Sequence, residues 1–184
     1  MHFFKHLHTV CKHRRQVRKN CFKAGLIWQG LTHDLSKFSA KEFWRGAKYY
    51  QGNRSPQARE RELFGYSSAW LHHKGRNKHH FEYWTDVGKD GVPVCVEMPA
   101  KYLAEMVCDR IAASKVYKGK DYKDNCPLEY FLSRKDKAVM HHKTSEKLEY
   151  FLTVLDEKGE KEMFKELKKF LKDNKKNESK TIHS

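Results

Sequence analysis

Prolines and glycines are scarce in this chain, with four and ten among 184 residues, which leaves room for long helices. Cysteine is sparse and unpatterned. Cys11, Cys21, Cys95, Cys108 and Cys126 are odd in number and contain no C-x-x-C pair, so neither a disulfide framework nor a zinc ribbon is expected, and a reducing compartment is. No apolar run approaches the ~20 residues that a membrane span requires. His6, His8 and Lys12 interrupt any signal-peptide core that Phe3 and Phe4 could begin. The expectation is a cytoplasmic protein with no membrane partner.

Acidic residues are the other shortage. Asp and Glu number 23 against 38 Lys and Arg, a formal charge of +15. Seven basic residues and no acidic one lie between Lys5 and Lys23, and the stretch from Lys158 to Lys180 is rich in lysine. Such a balance attracts polyanions, nucleotides and nucleic acid included, but is equally that of a plain cationic surface. The hydrophobic share of 39% and aromatic share of 13% suit a folded domain.

The apolar spacing predicts helices. Phe3, Leu7, Val10, Val17, Cys21 and Ala24 form one stripe over His2–Ala24, which Gly25 ends. Ile27, Leu31, Leu35 and Phe38 form another over Leu26–Lys37. Ser39 and Glu42 have the form of a capping box opening a helix to Tyr50. Ser55-Pro56 opens a further helix that bends at Gly65 and ends by Gly75. Gly88, Asp90-Gly91 and Pro93 predict a long loop or small hairpin near 85–98, followed by a helix from Pro99 to Tyr117. Three more helical stretches follow: near Pro127, over Ser145–Lys158, and through Met163, Phe164, Leu167, Phe170 and Leu171. The fold class is all-α, a bundle of about seven or eight helices. The expected division is a helical core over residues 1–120, further helices over 121–173 packed on the same domain, and a flexible basic tail over 174–184.

Within this pattern three helices carry polar residues where apolar ones belong. Asp34 lies three residues past Leu31 and four before Phe38, His13 lies three past Val10 and four before Val17, and Asp109 lies three past Met106. A buried aspartate is costly unless paired or bound to metal. A structural reading remains open, a buried His–Asp hydrogen bond with an Asp109–Arg110 pair. Taken together, His13, His33, Asp34 and Asp109 point to a divalent ion such as Fe, Mn, Zn, Co or Ni.

The ordered set of His13, His33-Asp34 and Asp109 resembles the H…HD…D arrangement of the HD-domain metal-dependent phosphohydrolases. His33-Asp34-Leu35-Ser36-Lys37 resembles their H-D-φ-x-K, and Met106-Val107-Cys108-Asp109 their last motif. The resemblance spans about residues 6–117 and implies an HD-like bundle whose metal is held by these four residues. Asp34 and Lys37 are then the catalytic candidates, with Lys37 meeting a phosphate. His73 and the pair His79-His80 look like the extra ligands of two-metal members, at a much shorter separation than usual. One ion rather than two is therefore expected, and His72 competes with His73 as ligand. Arg14, Arg15, Arg18, Arg76 and Lys78 could complete a cationic wall for a small phosphorylated substrate. Trp70, Phe81, Tyr83 and Trp84 are packing residues or a stacking surface for a base, and His141-His142 reads as surface or support. Two other readings stand beside the phosphohydrolase: an HD-type di-iron oxygenase, and a non-enzymatic cationic module that binds nucleic acid.

Overall fold

α6 (Ala100–Lys118) is the axis of the molecule. Leu103 to Cys108 are buried without a break, and Ile111 and Ala112 continue them, so this helix is covered on nearly every side. α1 (Phe3–Ala24) lays Val17, Cys21 and Ala24 against it. Leu148, Phe151, Leu152, Leu155, Met163 and Leu167 of α8 (His142–Thr181) complete the core. The computed structural model describes residues 2–181.

Between α1 and α6 lie four short helices: α2 (Ile27–Thr32), α3 (Ala40–Lys48), α4 (Pro56–Phe64) and α5 (Ser68–Lys74). α7 (Cys126–Leu132) precedes α8. The expected hairpin is β1 (Thr85–Val87) antiparallel to β2 (Pro93–Cys95), with Thr85 opposite Cys95. The architecture is all-α, with eight α-helices and one two-stranded sheet among the described residues. None of these helices is long and apolar enough to cross a membrane.

The structure departs from the sequence reading in three places. The helix expected over Leu26–Lys37 stops at Thr32. His33 is extended, with ψ at 126°, and Asp34 sits in the left-handed region at φ 55° before a 3-10 turn over Leu35–Phe38. The stripe that was to point Asp34 inward faces outward instead: Ile27, Leu31, Leu35 and Phe38 are all exposed, as is Trp28 at 72%. Asp34 is nevertheless 1% exposed, because the chain reversal turns it in.

The Ser39–Glu42 capping box is not made. Ser39 occupies the N-cap position but its hydroxyl caps nothing, and Glu42 is drawn elsewhere. The helix expected over 56–75 is divided: Gly65 closes α4 in the left-handed conformation (φ 78°), and Ser67 caps α5 by accepting from Trp70 N at 3.0 Å. The backbone of α8 is helical to Thr181, and residues 182–184 of the expected tail lie outside the described residues. α8 is bent at Gly159 (φ 76°, ψ 173°) into two arms, as the separate apolar stripes before and after Lys158 predict.

Candidate metal centre

His13 stands on the buried face of α1, between Val10 and Val17. Opposite it, Glu105 and Asp109 are four residues apart on α6, so one helical face presents both carboxylates. His33 and Asp34 enter from the reversal after α2. Arg14 fixes that reversal by donating to the carbonyls of His33 (2.9 Å) and Leu31 (3.2 Å). His73 closes α5, and two tight turns bring His79 and His80 beside it, with Arg76 N bonded to His73 O and His80 N to Asn77 O, both at 3.1 Å. The Asn77 amide ties the turn to Ser36 Oγ and His73 O, at 2.8 Å each. The short separation of His73 from His79-His80 is thus what a compact turn requires.

These side chains form two donor groups that share Asp34. His13, His33, Asp34 and Asp109 make one, and Asp34, His73, His79 and His80 the other, each with ligand atoms within 4.8 Å of one another. The carboxylate of Asp34 divides between them. Its Oδ2 lies 3.3 Å from His33 Nε2 and 3.6 Å from His13 Nε2, while Oδ1 lies 3.2 Å from His73 Nε2 and 3.5 Å from His79 Nε2. Asp109 Oδ1 is 2.9 Å from His13 Nε2 and 3.4 Å from His33 Nε2.

Two glutamates missed in the sequence orient the rings. Glu105 Oε1 lies 2.9 Å from His33 Nδ1 and 3.2 Å from His79 Nδ1. Glu42 takes His73 Nδ1 with one oxygen and His72 Nδ1 with the other, at 2.7 Å each. A carboxylate on Nδ1 aims Nε2 inward as a ligand. Glu105 had one usable signal, its place four residues before Asp109. Glu42 had none, since it fitted a capping box.

The buried donor set is one that could hold a metal ion. His13 Nε2, His33 Nε2, Asp34 Oδ1, His79 Nε2 and His80 Nε2 are all buried without a hydrogen-bond partner. Buried polar atoms are ordinarily satisfied, and four such imidazole nitrogens gathered around the Asp34 carboxylate make a donor set that could hold a divalent cation. Arg110 does not pair with Asp109; its guanidinium lies over the Phe131 ring at 5.8 Å. Burial pushes His80 well down and His79 down, helped by neighbouring histidines, which keeps both neutral as ligands must be. Burial would raise the Asp34 and Asp109 carboxyls, but the adjacent histidines, with Lys37 beside Asp34, hold both well below the usual range. The same carboxylates, with Glu105, hold His33 well above its ordinary value against the effect of its burial.

The chain matches, over residues 2–154, a family of unknown function (DUF5662). The chain belongs to that family. No curated protein and no solved structure shows a match. The family match takes in every donor from His13 to Asp109 and ends within the first arm of α8, so the second arm lies outside it.

Of the cationic residues expected to line the mouth, Lys37 reaches a carboxylate of the cluster, with Nζ 2.6 Å from Asp34 Oδ2. The others are placed differently. Arg14 is engaged with backbone carbonyls, Arg15 and Arg18 are exposed on α1, Arg76 bonds His72 O at 3.4 Å, and Lys78 lies over the Tyr83 and Tyr102 rings. His72 is held to Glu42 outside both donor groups. Trp70 packs its ring on His73 and His80 at 5.6 and 4.7 Å, while Phe81 and Trp84 pack on the core and Tyr83 is exposed.

Proposed function

We propose that this chain is a metal-dependent phosphohydrolase of the HD type that binds two divalent cations and acts on a small phosphorylated substrate such as a nucleotide. The observation that carries the reading is the division of the Asp34 carboxylate, one oxygen toward each histidine group. His13, His33 and Asp109 would hold the first cation with Asp34, and His73, His79 and His80 the second. Divalent cations there would supply a nucleophile near neutral pH and withdraw charge from a phosphoryl oxygen.

The chain's own groups set the rest. Lys37 is partly exposed at the end of a flexible stem, so its ammonium can leave Asp34 for a phosphate oxygen as a mobile point charge. His13, Asp109 and Lys37 are the more accessible members of the cluster, while His33 and His73 are closed off; substrate therefore approaches between α1 and the Lys37 turn. Glu42 and Glu105 keep the imidazoles fixed.

The test is metal analysis of native protein purified without chelators, together with a phosphoesterase screen of wild type and Asp34→Asn. About two equivalents of metal and a hydrolysed substrate, both lost in the variant, are expected. Metal-free native protein would sink the proposal. A second reading, a di-iron oxygenase, draws on the histidine-rich donor set; bound iron whose spectrum responds to oxygen, with no phosphoester hydrolysed, would replace the first reading by this one.

A further inference from the structure

The second arm of α8 carries a feature unconnected with the metal centre. Lys161, Lys165, Lys168 and Lys172 follow one another at steps of four, three and four residues and are all exposed. Those steps keep four side chains within about 60° around the helix and spread them over about 16 Å of its axis. Lys161, Lys168 and Lys172 make no ion pair among the described residues, and Lys165 pairs with Glu162 at 2.8 Å while remaining 75% exposed, a pair that solvent leaves weak. Lys23 of α1 extends the face. It is held over the Phe164 ring at 5.2 Å and bonded to Glu160 at 3.0 Å, beside Lys161, Lys165 and Lys168 along one shallow groove. Glu160 is further engaged by Lys115, so its charge is already answered from within the fold.

We propose that this lysine face is a docking site for double-stranded nucleic acid, read through its phosphate backbone. Sixteen ångströms of axis matches about five phosphates of rise along one strand. Two observations favour a duplex over other polyanions. The apolar residues of the arm, Met163, Phe164, Leu167 and Leu171, are buried against the core, with Phe170 packed on it, so nothing on this face inserts into lipid as an interfacial helix does. No aromatic side chain is exposed along it either, which removes the stacking platforms that single strands use. What remains is charge at regular intervals.

The experiment is fluorescence anisotropy with a 20-base-pair duplex of arbitrary sequence, as DNA and as RNA, titrated from 50 to 200 mM salt in EDTA so that the metal centre plays no part. Four phosphate contacts predict an affinity loss of about 100-fold across that range. Replacing Lys161, Lys165, Lys168 and Lys172 by Gln should flatten the logarithmic salt slope by about 3 to 4, with the fold checked by circular dichroism. A control replacing the exposed Lys5, Lys41, Lys89 and Lys120 should change the slope little. The proposal is overturned if wild type shows no duplex binding at 50 mM salt, or if the control loses as much as the stripe variant. Binding to vesicles containing phosphatidylserine in place of the duplex would overturn it in favour of a membrane surface.

Discussion

Glu42 Oε2 lies 2.7 Å from His73 Nδ1, and both side chains are buried. That contact points the other ring nitrogen at Asp34, 3.2 Å away, so a residue at the start of α3 serves the site through the last turn of α5. Outer carboxylates of this kind typically contribute 10- to 100-fold to metal affinity. Glu42→Gln should weaken binding of the second cation by about that factor and spare the first, giving a two-step isotherm in calorimetric titration where wild type binds both tightly. Equal weakening of both steps would contradict the separation of the donor groups.

Asp34 answers to both groups, so Asp34→Asn should abolish both steps. Asn tolerates the left-handed backbone at φ 55°, so the metal-free variant should fold. Asp34→Ala should lose the metals as well and cost about 1–2 kcal/mol more in stability from the backbone alone, read as a lower urea midpoint than that of Asp34→Asn, both in EDTA.

Lys37→Met keeps the aliphatic stem and removes the charge. It should retain bound metal and lower kcat/KM for a phosphoester by about 10- to 100-fold, on the order of 1.4–2.7 kcal/mol of lost transition-state stabilisation. Loss of metal in this variant would make Lys37 a structural counter-charge to Asp34 rather than a substrate contact.

Stability of the chelated protein should fall on both sides of an optimum. Asp34 and Asp109 are held below their ordinary value of 3.8, so their contribution is present above it and is lost as pH falls through their lowered folded values. His33 is held above its ordinary 6.5; its contribution is full below 6.5 and is lost as pH rises through the raised folded value. Urea midpoints against pH in EDTA measure both arms. Added metal should reverse the alkaline arm, because a cation takes the place of the proton on His33.

The sequence made the donors legible and left their supports hidden. His33-Asp34, His13 and Asp109 stood out because polar residues interrupted apolar stripes or matched a motif. Yet the stripe around Asp34 led to the right residue for a wrong reason, since Leu31 and Phe38 are exposed and a left-handed turn does the placing. Glu105 was obscured because α6 is buried on nearly every side and offers no polar face for contrast. The nearness of His73 to His79-His80, a departure when counted in residues, follows from Asn77 and the two turns around it. The second arm of α8 was legible as a helix by its apolar spacing, but its lysines acquired a direction only with that helix docked.

The covered position of α6 has a consequence for the order in which the centre comes apart. Asp109 and Glu105 ride on the helix that the whole core encloses, so their backbone amides should exchange with solvent only through global unfolding. Asp34, His79 and His80 ride on turns, and His73 on the last turn of a seven-residue helix. One half of the centre is anchored as deeply as the fold allows, while the other hangs from segments able to open alone. Exchange of ions at these groups should proceed by brief opening of the turn-borne half, with α1 and α6 standing still as the wall against which it closes.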